Sequence, residues 1–377
     1  MSPGVRPDMN EDRPLLIVGN SVRYLAQSAA RSGYAVTGVD LFSDRDTEAV
    51  CHVAIKAEQT DPAGLVATCF EVQRSHKTPW LFGAGFEAEP DQLQQLIPLG
   101  RCLGNSYQTL KLLADAESLF SLLDDLGIAY PRVQFQRPAV TDGWLIKKSG
   151  SCGGIGVHFI NSGSHSSGPH YYQRYIAGVI CSITFLANGS EVQVLGINQL
   201  FARDTVRGDF NYAGSLSHFD PGQAVITQMQ SVALKLTKAL QLRGANGIDF
   251  VLANGRVQLL DLNARPSATL ELYDQQHHLG GVSLHIAACE GVLKRSPVNS
   301  RVRGSHIFYA PQDLTIGQID WPAWCSDLPP AGTSVQQGSP VCGLHASGIN
   351  RTQVLERLRD RKGRIARFIA SSSREAA

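Results

Sequence analysis

Residues 247–265 read Gly247-Ile248-Asp249-Phe250-Val251-Leu252-Ala253-Asn254-Gly255-Arg256-Val257-Gln258-Leu259-Leu260-Asp261-Leu262-Asn263-Ala264-Arg265, and this run decides the fold. Two apolar, strand-forming stretches flank Asn254-Gly255, a dipeptide typical of β-hairpin turns. Two turns are compatible with it. A two-residue turn at Asn254-Gly255 sets Asp249 opposite Leu260. Asp249 and Asp261 then face opposite sides of the ribbon, because strand side chains alternate. A three-residue loop, Ala253-Asn254-Gly255 with Gly255 left-handed in a G1 bulge, sets Asp249 opposite Leu259. Asp261 is then a diagonal neighbour on the same face, about 7–8 Å away. The three-residue loop is the expected geometry. It adds Asn263 and Arg265 to that face and turns Leu262 and Ala264 away.

Two carboxylates, an amide oxygen and a guanidinium on one surface suit phosphate chemistry. Oxygen donors fit Mg²⁺, which takes one or two carboxylates and completes its shell with phosphates and water. An arginine beside them can hold a phosphoryl group or a substrate carboxylate. Either aspartate alone would read as a solvated residue on an exposed sheet face. Asp261, however, sits inside the apolar run Leu259-Leu260-Asp261-Leu262. Burying a carboxylate is costly unless a cation or hydrogen-bond donors meet it, so Asp249, Asp261 and Asn263 are read as metal ligands.

A second stretch, Lys147-Lys148-Ser149-Gly150-Ser151-Cys152-Gly153-Gly154-Ile155-Gly156-Val157, follows a strand at Trp144-Leu145-Ile146-Lys147. Its four glycines allow close backbone approach to phosphates, and Lys147 supplies charge at the strand end. No Gly-Lys-Ser/Thr closes it, so it is not a Walker A loop. The alternative is a plain flexible turn. Cys152 reads as a small loop residue rather than a nucleophile, because no histidine is evidently placed to activate it.

Outward from these motifs, the chain opens as a βαβ unit: strand Leu15–Val18, the turn Gly19-Asn20-Ser21, a helix to about Ser32, and a strand ending at Asp40. A further strand lies near Trp80–Gly83. Leucines at 110, 113, 119, 122, 123 and 126 predict one helix over 107–126, stopped by Gly127 and Pro131. Strands are expected at 171–176 and 181–187, an amphipathic helix at 227–242 and another near 281–294. Residues 302–345 read as strand-like, and 350–370 as a basic helix. Residues 1–13 are expected to form a loose tail, and the Ser/Gly/His-rich 161–169 a mobile connection.

Bulk properties set limits. At 377 residues the chain holds two or three domains, and 43% apolar with 18% charged residues is an ordinary globular balance. A net charge of +1 without a basic block argues against nucleic acid or an anionic membrane as partner. No apolar run approaches the roughly 20 residues that span a bilayer. The first 13 residues lack the apolar core of a signal peptide. Eight scattered cysteines form neither a zinc spacing nor a disulfide scaffold. A cytoplasmic protein with reduced thiols is expected.

Together the motifs resemble the ATP-grasp superfamily. The Lys147-x-Ser149-Gly150-x-x-Gly153-Gly154-x-Gly156 loop, Asp249, and the Asp261-x-Asn263-x-Arg265 run occur in that family's order. The twelve-residue step between the acidic positions is similar to that of biotin carboxylase. The resemblance covers about residues 14–295. The tail looks like a subgroup of predicted ATP-dependent carboligases associated with one-carbon cofactor (methylofuran-type) genes. Tyramine–glutamate ligases are more distantly similar.

The resemblance implies a mixed α/β and α+β fold. Residues 14–105 would form an N-terminal parallel-sheet domain and 106–295 an ATP-grasp core with a lid at about 130–178. Residues 296–377 would form a small β-rich region ending in the basic helix. ATP would lie between two subdomains. Lys147 would contact phosphates, with Ser149, Gly150, Gly153, Gly154 and Gly156 closing over them. Gln173-Arg174-Tyr175-Ile176 would be the hinge that meets adenine. Asp249, Asp261 and Asn263 would hold two Mg²⁺, with Mn²⁺ as the alternative ion. Arg265 would stabilise an acyl phosphate, and Arg265 and Lys147 are the catalytic candidates. Two departures stand out: Asp115-Ala116-Glu117 occupies the region of a usual second lysine, and Gln173 replaces a usual acidic hinge residue.

The function implied is an ATP-dependent ligase joining a small carboxylate, glutamate being one candidate, to an amine in cofactor biosynthesis. Gly19, Asn20 and Ser21 at a helix start are candidate contacts for the substrate carboxylate. Tyr212 and Gly214 are candidates for the acceptor pocket, with a surface loop as the plainer reading. A homodimer is the expected assembly. The alternative function is a catalytically silent nucleotide-binding module. A dehydrogenase is disfavoured because the first turn lacks GxGxxG. A biotin-dependent carboxylase is disfavoured because no biotin-carrier segment is evident.

Overall fold

The structure is a computed structural model and describes residues 13–72, 77–160, 168–204, 208–295 and 300–375. The expected tail before Arg13 and most of the 161–169 connection lie outside these residues.

The chain begins with a four-stranded parallel sheet. Its strands are β1 (Pro14–Val18), β2 (Ala35–Asp40), β3 (Val53–Lys56) and β4 (Trp80–Phe82), in the order β3-β2-β1-β4. Leu15 to Val18 are all fully buried, as a central parallel strand covered on both faces requires. Helices α1 (Arg23–Arg31), α2 (Arg45–Glu48) and α3 (Pro62–Val72) connect these strands, and α4 (Asp91–Gln95) follows them.

The leucine-rich segment forms two helices rather than the single one expected: α5 (Tyr107–Ala114) and α6 (Ala116–Asp125). The break has a local cause. Asp115 leaves helical geometry, and its carboxylate accepts the Ser118 N–H at 2.7 Å, which caps α6.

A small four-stranded antiparallel sheet follows, made of β5 (Val133–Gln134), β6 (Trp144–Lys148), β7 (Val157–Phe159) and β8 (His170–Arg174), ordered β5-β8-β6-β7. The large sheet then begins with β9 (Val179–Asn188), β10 (Val192–Asp204), β11 (Asp209–Leu216), β12 (Arg243–Ala253), β13 (Arg256–Asn263) and β14 (Val302–Tyr309). Between β14 and the sheet's last long strand lie β15 (Leu314–Thr315), β16 (Cys325–Ser326) and β17 (Ser334–Val335). The last strand is β18 (Pro340–Gly348). β15 and β17 pair with each other, and the eight-stranded order is β13-β12-β9-β10-β11-β14-β18-β16.

Helix α7 (Gln223–Leu240) covers one face of this sheet. Its buried Val225, Met229, Ala233, Leu236 and Leu240 recur at helical spacing and join Ile183, Phe185, Ile248 and Phe250 in one core. Because side chains alternate along β12, burial of Ile248 and Phe250 against α7 leaves Asp249 on the opposite face. Helix α8 (Gly280–Cys289) packs on β12 and β9 through a separate core with Leu186, Ala245 and Leu284. Helix α9 (Arg351–Glu375) packs on β14 and β18.

Polar clamps tie the N-terminal sheet to the rest, among them one at α1 and one at α8. Arg23 on α1 bonds Glu271, and its Nε lies 3.1 Å from Asp327 Oδ1. His285 on α8 accepts the Ala245 N–H at 2.8 Å and donates to the Leu103 carbonyl at 2.9 Å.

Candidate active site

The hairpin closes by a two-residue turn, not the expected three-residue loop. Ala253 pairs with Arg256, and Asn254 and Gly255 take φ of 50° and 71°, the left-handed pair that a type I′ turn needs. That turn alone would set Asp249 opposite Leu260. Instead Phe250 pairs with Leu259 and Asp249 with Asp261, because a bulge shifts the register between them. The bulge also resets which residues point inward. Val257 and Leu259 are buried in the α7 core, and beyond the bulge Leu262 and Ala264 take over. Leu260, Asp261, Asn263 and Arg265 all line the opposite, cavity side. The acidic pair therefore shares a face, as expected, but the extra residue sits inside the strand rather than in the turn.

The cavity has a volume of about 280 Å³ and lies between the large sheet, the small antiparallel sheet and the loop after β4. Lys147, Ser149, Gly150, Gly153, Gly154, Gln173, Arg174, Tyr175, Ile176, Tyr212, Asp249, Asp261, Asn263 and Arg265 all line it. Gly156, Gly214, Gly19, Asn20 and Ser21 do not. Gly214, in strand β11, packs on the Ser305 backbone of β14, so 210–215 is strand rather than surface loop. Asn20 donates its N–H to the Ala84 carbonyl at 2.7 Å, and the Val22 N–H is taken by Asp40 at 3.1 Å. The Ser21 hydroxyl lies 3.4 Å from Asp327.

At the centre, Asn263 Nδ2 donates to Asp249 Oδ2 at 3.3 Å, and Arg265 Nη2 donates to Asn263 Oδ1 at 3.1 Å. Burial, and then the neighbouring Asp261 charge, push the Asp249 carboxyl up to about 7. Burial also raises Asp261, against the pull of Lys147 and Arg265. Two partly buried carboxylates side by side, with an amide donating to Asp249, form a donor set suited to a divalent cation. Among the described residues no three His, Cys, Asp or Glu side chains converge, so an ion here would rely on this pair and Asn263.

Lys147 is held by a carbonyl that the bulge leaves open. Its Nζ donates to Leu260 O at 3.2 Å and to Gln173 Oε1 at 3.3 Å, and it lies 5.5 Å from the Tyr171 ring centroid. Burial works against its charge, but Tyr171, Asp261 and Asp249 raise its pKa overall. Arg265 is only 8% exposed, and its Nε donates to Glu87 from the loop after β4. Glu87 Oε2 in turn accepts the Gly85 N–H at 2.7 Å.

The glycine loop is seated rather than free. Gly150 abuts the backbone of Glu87 and Ala88, and Gly154 abuts the Phe210 carbonyl. Both have positive φ, and a Cβ at either would strike that backbone. The Tyr212 N–H donates to Gly153 O at 2.8 Å, which pins the loop to β11. Burial pushes the Cys152 thiol up to about 11, so it is protonated at neutral pH, as expected of a plain loop residue.

Sequence reasoning missed Glu87, Tyr171 and the Leu260 carbonyl. Glu87 carries one available signal: ligand crevices lie beyond the carboxyl ends of parallel strands, and β4 ends at Phe82. Neither of the other two has a local signal.

An ATP-grasp domain model matches residues 114–269. The arginine-specific large chain of carbamoyl phosphate synthase from Bacillus subtilis (strain 168) is 28% identical over 191 residues, 45% of this chain and 18% of that one. The chain spans less than a fifth of the length of the curated relatives it matches. Among solved structures, a biotin carboxylase complex from Campylobacter jejuni superposes with a TM-score of 0.71 at 13% identity, covering 91% of this chain and 89% of that one. An L-amino acid ligase from Bacillus licheniformis gives 0.70 at 12% identity, covering 93% and 97%. The fold is thus the mixed α/β ATP-grasp fold, with a parallel N-terminal sheet followed by largely antiparallel ones. No helix among the described residues is long and apolar enough to cross a membrane.

Proposed function

We propose that this ATP-grasp chain is an ATP-dependent carboxylate–amine ligase. The observation that carries the reading is the convergence of Asp249, Asp261, Asn263 and Arg265 with Lys147 and the glycine loop around one cavity. A carboxylate is a poor electrophile. One of its oxygens attacks the γ-phosphorus, ADP leaves, and the resulting acyl phosphate is open to an amine. The amine nitrogen bonds to the acyl carbon, phosphate departs and a proton is released. The protein's tasks are to hold the phosphates, align the attack and exclude water.

Lys147 and the loop from Ser149 to Gly156 would meet the phosphates, and Gln173 to Ile176 the base. Asp249, Asp261 and Asn263 would hold Mg²⁺, which supplies neutralisation of phosphate charge when bound. Arg265, held by Glu87 and Asn263, would face charge developing on the acyl phosphate. Tyr212, which lines the cavity, would face the acceptor. Gly19 to Ser21, the sequence candidates for anchoring the acid, lie outside the cavity lining and the Gly19 and Asn20 N–H groups are taken by Val39 and Ala84, so the acid is not assigned to them. The names of two relatives, carbamoyl phosphate synthase and L-amino acid ligase, support ligase chemistry.

The test is phosphate release from ATP against a matrix of carboxylates and amines, glutamate with aromatic amines first, with mass detection of product. A mass equal to acid plus amine minus water is the expected result. The competing reading is a silent module. It draws support from Ala114 and Ala116 lining the cavity where a second cation would be expected. Nucleotide binding without phosphate release in any well would favour it and overturn the ligase.

A further inference from the structure

Gln173 is 1% exposed, lines the cavity and carries a buried donor that nothing among the described residues accepts. Its Oε1 accepts from Lys147 Nζ at 3.3 Å, while its Nε2 has no hydrogen-bond partner. The amide cannot be turned round, because that would set an NH₂ group against the Lys147 ammonium, donor against donor. An orphaned buried donor is costly. Holding Lys147 does not account for it. A glutamate at 173 would hold the lysine more strongly and leave no donor unpaired. What the amide adds over a carboxylate is the NH₂ group alone.

Gln173 stands near the end of β8, on the cavity wall. Along β6 and β8, Leu145 pairs with Gln173 and Lys147 with Tyr171, and all four side chains line the cavity. Leu110, Leu113, Ile180 and Val251 line the same cavity and give it an apolar wall suited to a flat, largely apolar group. In the nucleotide reading this wall meets the base. A base offers the Nε2 group a partner only through an acceptor atom. Guanine presents O6 and N7, whereas adenine presents N7 beside an N6 amino donor.

We propose that Gln173 reads the nucleobase as a hydrogen-bond donor, so that the pocket selects for an acceptor edge and takes guanine nucleotides at least as well as adenine nucleotides. The inference rests on the nucleotide reading above and adds the polarity of base recognition to it.

The experiment is equilibrium binding of ADP, GDP and 7-deaza-ADP to the full chain with Mg²⁺, for the wild type and for Gln173→Glu. Diphosphates avoid turnover. In the wild type GDP binds at least as tightly as ADP, and the analogue without an N7 acceptor binds about tenfold more weakly than GDP. In Gln173→Glu the carboxylate accepts from the adenine amino group, and ADP overtakes GDP by about tenfold. Wild-type exclusion of GDP overturns the inference, as does a GDP-to-ADP ratio that the variant leaves unchanged. Those results leave the nucleotide site standing. Failure of all three diphosphates to bind the wild type overturns the nucleotide reading itself, and this inference with it.

Discussion

Arg265, two residues beyond β13, and Glu87 in the loop after β4 form a largely buried ion pair between the β12–β13 hairpin and the N-terminal sheet. The guanidinium is used at three points: Nε on Glu87, Nη2 on Asn263 and Nη1 on the Pro266 carbonyl at 3.3 Å. Lysine keeps the charge but cannot reproduce that planar fork. Arg265→Lys is therefore expected to lower turnover about 100-fold while nucleotide affinity changes less than about threefold. A variant that loses nucleotide affinity and keeps its turnover would move Arg265 from the reacting centre to nucleotide binding.

Asp249 and Asp261 repel each other across the ribbon, and the free protein bears that cost. Asp261→Asn removes one charge and keeps the shape. Without Mg²⁺ the variant should be as stable as wild type or more so, by about 1 kcal/mol. Turnover should fall at least about 1000-fold. Wild type should gain thermal stability from Mg²⁺ with ADP by mass action, and the variant should lose most of that gain. Melting curves with and without Mg²⁺ decide it. An undiminished Mg²⁺ response in the variant removes Asp261 from the metal site.

The hairpin shows how far sequence reading reaches and where it stops. Asn254-Gly255 marked the turn, and the apolar alternation marked both strands. The chemistry needed Asp249 and Asp261 on one face, and they are on one face. The bulge that puts them there left no local mark, because Leu259 and Leu260 are identical residues. Only packing against α7 decides which of them turns inward. Asp115 was equally hidden: its cap breaks what leucine spacing alone presents as one helix. Glu87 had only a general signal, its place beyond the carboxyl end of β4. Its partner lies 178 residues along the chain, and nothing in Gly85-Phe86-Glu87 distinguishes that carboxylate from a surface one.

Gly154 separates the seating of the glycine loop from its flexibility. Gly153 and Gly154 are adjacent and both left-handed, at φ of 63° and 79°. A Cβ at Gly153 meets open space, whereas one at Gly154 meets the Phe210 backbone. Both alanine variants carry a similar backbone strain of about 1 kcal/mol. Only Gly154→Ala should also unseat the loop from β11. Its nucleotide affinity should fall about tenfold, with Gly153→Ala within about threefold of wild type. Equal losses in the two variants would show that strain, not seating, governs binding.

His285 makes the molecule acid-sensitive. It is 1% exposed, and its two ring nitrogens have opposite tasks. Nδ1 accepts from the Ala245 N–H and Nε2 donates to the Leu103 carbonyl, which fixes the neutral tautomer. Burial pushes its pKa down to about 4, against the pull of the Leu103 carbonyl. In the unfolded chain the ring titrates near 6.5. Between these values the unfolded state binds a proton that the native state refuses. The stability contributed is therefore complete above about pH 6.5 and is lost as pH falls towards 4, by up to about 1.4 kcal/mol per pH unit and about 3 kcal/mol in all. Glutamine can accept with its oxygen and donate with its nitrogen, and it does not titrate. In urea unfolding at pH 5 and pH 7, His285→Gln should lose less stability on acidification than wild type, by about 2 kcal/mol. Parallel losses in the two proteins would mean that His285 is not the group that takes up the proton.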